Sequence, residues 1–227
     1  MKVVALFSGG KDSTLALFLA KKQHQIACLL SMIPESQESW MYHFPNVELT
    51  SLQSRAMDLP LIKVYTLGEK EKELKELREA LSDLKRVGIE GVISGTVASR
   101  YQKRRVDRIC KDLGLKSIAP LWKKDPEELL KQMLSLGFKI IITGCFAQGF
   151  SREWLGRRID EACVEDLKKL NEKFGIHISG EGGEFETFVL DCPLFKREIV
   201  VKKARVLWES EYSGRYIIEK ALLMHKQ

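Results

Sequence analysis

The sequence predicts an α/β protein: a doubly wound, mostly parallel sheet followed by a smaller α+β C-terminal domain. Three observations predict it. Short apolar runs alternate with helical-period segments over the first 120 residues, the βαβα order that calls for parallel strands covered by helices. A glycine-rich turn, Ser8-Gly9-Gly10-Lys11-Asp12-Ser13, joins the first apolar run to the first helical segment. After Gly180 the helical period stops and β-type runs take over.

The elements follow in order. Residues 3–7 read as a buried strand, and residues 14–22 as a helix with Leu15, Leu17, Phe18 and Leu19 apolar. Residues 26–32 are a second strand. Residues 34–46 are polar and aromatic and read as a loop over the ligand site, leading into a helix at 47–57. A third strand spans 61–65. Residues 69–87 form a charged amphipathic helix with Leu74, Leu77, Leu81 and Leu84 on one face. A strand at 91–94, a helix at 101–113 and a short strand at 116–119 complete a first domain, residues 1–120. The second, residues 121–227, opens with a helix at 126–136, where Asp125 is the N-cap and Pro126 the first residue. A strand at 139–143 and a helix at 160–174, stopped by Gly175, come next. Strands at 187–190, 198–208 and 216–223 end the chain.

Composition narrows the function. The 227 residues are 44% hydrophobic with a formal charge of +6, which suits nucleotides and does not by itself signify nucleic-acid binding. Five scattered cysteines (Cys28, Cys110, Cys145, Cys163, Cys192) include no C-x-x-C pair. That speaks against a disulfide framework or a zinc site and for the reducing cytoplasm. No apolar run approaches the roughly 18 residues a bilayer span needs. The first strand follows Met1 directly, so no signal peptide is expected.

The turn at 8–13 is an anion site in the making. Glycines let backbone N–H groups approach a phosphate, the start of a helix adds unpaired donors, and Lys11 adds charge. It is not a Walker A loop, because Asp12 follows Gly10-Lys11 and Ala5 stands where the first glycine belongs. Parallel sheets bind ligands beyond the carboxyl ends of their strands. That brings in Met32 and Gly95, at the expected ends of the second and fourth strands. A second unusual stretch, Gly180-Glu181-Gly182-Gly183-Glu184-Phe185-Glu186-Thr187, packs three glycines and three carboxylates into eight residues. It reads as a loop that comes close to a ligand and offers carboxylates to a cation.

The hexapeptide 8–13 resembles the PP-loop of the ATP pyrophosphatases, whose fold is of the HUP type. The stretch 180–195, ending Phe188-Val189-Leu190-Asp191-Cys192-Pro193-Leu194-Phe195, is similar to the signature of the diphthine–ammonia ligase (diphthamide synthetase) family. Glu90–Gly95, Ser99-Arg100-Tyr101-Gln102, Arg105-Val106, Pro120-Leu121-Trp122 and the Ser39–His43 loop agree with it. The resemblance implies an ATP-dependent ligase that adenylates the carboxylate of diphthine on translation elongation factor 2, releases pyrophosphate, and lets ammonia displace AMP. It implies ATP held by Ser8, Gly9, Gly10, Lys11, Asp12, Ser13, Met32 and Gly95, and Mg²⁺ on Asp12. On that reading Lys11, Asp12 and Glu186 would carry the catalysis. Tyr42, His43, Tyr101, Gln102 and Arg105 are expected at the substrate, with Glu181, Gly182, Gly183, Glu184, Glu186 and Thr187. A quaternary cation prefers aromatic faces and carboxylates. Trp40, Tyr42, Tyr101, Phe185, Glu184 and Glu186 therefore compete for the trimethylammonium of diphthine, Glu186 foremost.

Arg100, Lys103, Arg104, Arg105 and Arg108 form a basic stripe. It is either a solvated helix face or a functional one, with Arg105 contacting phosphate or the adenylate and the outer charges docking an acidic patch of the elongation factor. Cys145 reads as structural. His24 and His177 read as isolated surface or core residues. A homodimer through the last strands is a further expectation. The competing readings are a PP-loop tRNA-modifying enzyme and a nucleotide-binding protein without catalysis.

Overall fold

The structure, a computed structural model, describes residues 1–34, 49–66 and 70–226. The expected loop at 34–46 lies almost wholly outside the described residues, and with it the sites at Trp40, Tyr42 and His43. In chain order the elements are β1 (Lys2–Leu6), α1 (Lys11–Lys21), β2 (Gln25–Pro34), α2 (Thr50–Met57), β3 (Leu61–Thr66), α3 (Lys70–Arg86), β4 (Gly91–Ile93) and α4 (Arg100–Leu113). They continue with β5 (Lys116–Ile118), α5 (Pro126–Ser135), β6 (Lys139–Phe146), a 3₁₀ turn at Arg152–Trp154, α6 (Glu161–Phe174), β7 (Phe185–Asp191), β8 (Arg197–Trp208) and β9 (Ser213–His225).

The described residues fall into two compact units. The first comprises residues 1–8, 12–34 and 58–122. Its five strands form one parallel sheet in the order β3-β2-β1-β4-β5. Alternate side chains of a strand face opposite ways, and here both sets are buried. Val4, Cys28, Leu30 and Val92 pack with Leu77, Leu81 and Leu84 of α3 and with Ile109 and Cys110 of α4. Val3, Ala5, Leu29 and Ile93, on the other face, are at most 1% exposed. That double burial is why these strands read as unbroken apolar runs rather than as alternating ones. The α3 leucine stripe lies where its period placed it.

Two helix ends follow from local chemistry. Ser99 caps α4 by accepting from the Gln102 N–H at 3.3 Å, and Gly114 closes that helix in a left-handed conformation. One boundary shift bears on the site. Helix α1 begins at Lys11 rather than at residue 14, so three residues of the glycine-rich turn are its first turn.

The second unit comprises residues 9–11, 49–57 and 123–226. Its sheet is antiparallel in the order β7-β6-β9-β8, with β8 and β9 forming a long hairpin. Phe188, Ile140, Ile142, Leu129, Leu130, Met133 and Leu167 form its buried apolar interior. Asp125 and Asp160 cap α5 and α6 through their side chains, accepting from the Glu128 and Cys163 amides, and Pro126 sits at the first turn. Strand β7 starts at Phe185, two residues earlier than expected, so the end of the acidic stretch is strand rather than loop.

Candidate active site

In the first unit the strand order reverses between β1 and β4, which makes the crevice beyond their carboxyl ends the place where such sheets take ligands. The segment after β1 is fastened at its start. Phe7 donates to the Leu30 carbonyl at 2.9 Å, and the Phe7 carbonyl accepts from the Ser31 hydroxyl at 2.6 Å. Ser8 is exposed, and its Oγ stands 3.2 Å from the Oγ of Ser13. The segment after β4 closes on the same spot. A Cβ on Gly95 would lie 2.6 Å from the Ser13 nitrogen and 2.8 Å from the Asp12 carbonyl carbon, so only glycine lets this backbone rest on the first turn of α1. Ser8, Asp12, Ser13 and Gly95 are thus gathered at one corner. Met32 is placed differently. Strand β2 runs on to Pro34, and Met32 packs against the α3–α4 apolar cluster.

In the second unit, residues 9–11 meet the acidic stretch. The Lys11 side chain is buried, and its Nζ donates to the Ser179 carbonyl at 2.6 Å. The same Nζ stands 5.6 Å from the centre of the Phe185 ring. The Lys11 N–H donates to Thr187 Oγ1 at 3.2 Å. The Gly9 carbonyl accepts from the Val189 N–H at 3.1 Å and from the Gln53 carboxamide at 2.8 Å. Gly9 has φ +82°, and a Cβ there would run into the Gln53 Oε1.

The glycine-and-acid stretch is stitched internally. Glu184 accepts from the His177 N–H at 2.9 Å and from the Gly182 N–H at 2.8 Å. His177 Nδ1 stands 3.3 Å from the Ser179 N–H and 3.0 Å from its hydroxyl. Gly180 has φ +70° and lies where a Cβ would be 2.8 Å from the Phe185 carbonyl oxygen. Gly182 and Gly183 are exposed at the tip, and Glu181 is half-buried.

Glu186 faces the other way. Strand alternation sets it opposite Phe185 and Thr187, and the register places it beside Gly144 of β6, with Arg215 of β9 on Gly144's far side. Residues directly opposite in an antiparallel ladder share a face. Glu186, Gly144 and Arg215 therefore form one row across three strands. Arg215 pairs with Glu209 and lies 5.2 Å from the Phe146 ring centre. The Glu186 Oε2 is enclosed and has no hydrogen-bond partner. Burial, offset in part by Arg215, pushes its carboxyl up to about 8. Cys145, also buried, has its thiol pushed far up by burial, then by Cys163 and Glu186. All five cysteines are buried and free, and burial raises each thiol.

Tyr101, Gln102 and Arg105 form a separate group on the first two turns of α4. Tyr101 is 51% exposed, with the Arg105 guanidinium 3.7 Å from its ring centre. The rest of the basic stripe divides. Lys103 pairs with Asp107 at 2.6 Å, while Arg105 and Arg108 line a 480 Å³ cavity with Lys75 and Arg78.

Sequence reasoning missed Gln53, Ser179 and Arg215, and it set His177 aside. The adjacency of His177-Ile178-Ser179 to Gly180 was a usable signal for two of them. Nothing local marks Gln53 or Arg215, because each acts through a contact far away in sequence.

A parallel sheet with a glycine turn at its switch point, feeding a helix that opens on Lys and Asp, is the arrangement that nucleotide-phosphate-binding proteins use. Comparison with known proteins narrows the class. Residues 1–117 match the diphthamide synthase N-terminal domain and residues 125–224 the diphthamide synthase C-terminal domain. The diphthine–ammonia ligases of Mus musculus and Homo sapiens are each 37% identical to the chain over 232 residues, covering 92% of the chain and 86% of the relative. That of Schizosaccharomyces pombe is 36% identical over 244 residues, and the chain spans only 40% of its length. The chain belongs to the diphthamide synthase family.

Proposed function

We propose that the chain is an ATP-dependent ligase that converts diphthine on translation elongation factor 2 to diphthamide. The observation that carries this reading is the meeting of Lys11 with the acidic stretch through Ser179 and Thr187. If the glycine turn takes phosphate and the acidic stretch takes diphthine, Lys11 serves both through its side chain and its backbone N–H. The family and its relatives, all diphthine–ammonia ligases by name, support the substrate.

The chemistry then runs in two displacements. The diphthine carboxylate attacks the α-phosphorus of ATP and pyrophosphate leaves. Ammonia attacks the acyl carbon, AMP leaves, and the amide remains. The protein's part is positioning and charge stabilisation. The N–H groups of residues 9–13 and the Lys11 ammonium stabilise the departing pyrophosphate. Glu186, on the face of β7 opposite Thr187, takes the trimethylammonium by charge.

Asp12 fits Mg²⁺ as a single hard oxygen donor on the first turn of α1, with its Oδ1 enclosed. No cluster of three ligating side chains stands among the described residues. The ion would therefore take phosphate and water oxygens for the rest of its shell, a common arrangement for Mg²⁺. When bound it would neutralise phosphate charge. No helix among the described residues is long and apolar enough to cross a membrane. Five free thiols fit a reducing cytoplasm.

The test is turnover. The chain is incubated with ATP, ammonium and diphthine-bearing elongation factor 2. The account expects AMP and pyrophosphate in equal amounts, and a factor whose mass changes by the exchange of OH for NH₂. Turnover with unmodified tRNA, or nucleotide binding with no product, would instead favour the tRNA-modifying or the non-catalytic reading.

A further inference from the structure

We propose that Gln53 is a positioning residue of the phosphate loop: its carboxamide ties the Gly9 carbonyl to strand β7 and so keeps the loop's N–H groups aimed at a triphosphate. The proposal rests on the nucleotide reading given above and adds a residue to it.

Gln53 lies on α2 and is completely buried. Its Nε2 donates to two carbonyls at once, Gly9 at 2.8 Å and Val189 at 2.9 Å. The Val189 N–H also donates to Gly9, so both lone pairs of the Gly9 carbonyl are filled. A carbonyl so held is turned away from any anion. That orientation matters in a loop that binds phosphate through N–H groups, because one reversed peptide would present an oxygen to the ligand. The left-handed φ of Gly9 and its contact with the Gln53 side chain fit the same arrangement.

The cost of keeping Gln53 points the same way. Its Oε1 is buried with no hydrogen-bond partner among the described residues. Buried polar atoms are rarely left so. An apolar side chain would pack this helix without that penalty. What only a carboxamide supplies here is two donors to two neighbouring carbonyls, one on the loop and one on the strand that carries Thr187. Gln53 thus joins the loop to that strand through one side chain.

The test uses Gln53→Met, which keeps length and removes the donors, with Arg55→Ala on the exposed face of α2 as the helix control. ATP affinity is measured by calorimetry on the free protein. Gln53→Met should bind ATP about tenfold or more weakly, with a matching rise in KM for ATP and an unchanged KM for the diphthine-bearing factor. Arg55→Ala should leave ATP affinity within about twofold. A merely structural role would lower the folded fraction and leave both constants alone. A second measurement needs no variant. In wild type the Gln53 carboxamide protons should be slow to exchange, and their NMR signals should shift when ATP is added. Folded Gln53→Met with wild-type ATP affinity, or carboxamide signals indifferent to saturating ATP, overturns the proposal. Wild-type protein that binds no ATP sinks the nucleotide reading, and the proposal falls with it.

Discussion

At the scale of single residues the proposed reaction gives Lys11 and Glu186 separate parts, and each makes a separate prediction. Lys11→Met removes the ammonium that, in the proposed reaction, stabilises the leaving group. It should lower kcat by about two to three orders of magnitude, as loss of one preorganised electrostatic contact does elsewhere. Glu186→Gln keeps shape and, assayed at pH 8.5 where the wild-type carboxyl is largely ionised, removes charge. It should raise KM for the diphthine-bearing factor about tenfold or more while leaving ATP affinity within about twofold.

The raised Glu186 carboxyl gives a pH signature with a definite sign. Its folded value, about 8, exceeds the ordinary value near 4.3. The folded chain therefore holds a proton that the unfolded chain has released. The penalty is absent below the unfolded value, grows as pH rises, and is complete above the folded one. Thermal melts of wild type and Glu186→Gln should diverge from pH 5 to pH 8.5, the variant melting higher at the alkaline end. Parallel curves across that range would deny Glu186 the raised value. Binding of the cationic substrate by wild type should strengthen over the same upper range, as the carboxylate ionises.

At the element scale, the start of α1 shows what sequence can and cannot give. The turn Ser8–Ser13 was legible because glycine, lysine and hydroxyl residues at a strand-to-helix junction have few other uses. That Lys11, Asp12 and Ser13 are themselves helical was not legible, since a glycine pair masks where the helix period begins. Gly95 was singled out as the end of a strand, but its close packing is a tertiary fact. Gly95→Ala would drive a methyl into the Ser13 and Asp12 backbone, which cannot swing aside as a side chain would. The expected cost is about 1–3 kcal/mol of unfolding free energy, typical of overpacking, together with weaker ATP binding. Ser99→Ala, which removes the cap of α4, should cost about 1 kcal/mol in the same denaturation assay. ATP affinity should not change.

At the scale of the whole molecule, the two sheets were legible for different reasons. The parallel one announced itself through unbroken apolar strands between helices, the antiparallel one through the loss of helical period after Gly180. Gln53 was invisible because its partners lie 44 and 136 residues away, and no local pattern encodes a contact of that span. Arg215 was hidden the same way, its place beside Gly144 set by strand register alone. A homodimer through the last strands, of which β8 is the edge of its sheet, is the remaining expectation for the assembly. Lys202 and Lys203 on that strand are exposed, a pattern that blunts edge pairing, so sedimentation should find a monomer unless another surface is used.

The most direct test of the central claim, an acyl-adenylate formed where Lys11 meets the acidic stretch, is exchange of labelled pyrophosphate into ATP. The account predicts exchange that requires the diphthine-bearing factor, proceeds without ammonium, and disappears in Lys11→Met. Exchange that runs without the factor, or that survives intact in Lys11→Met, would contradict it.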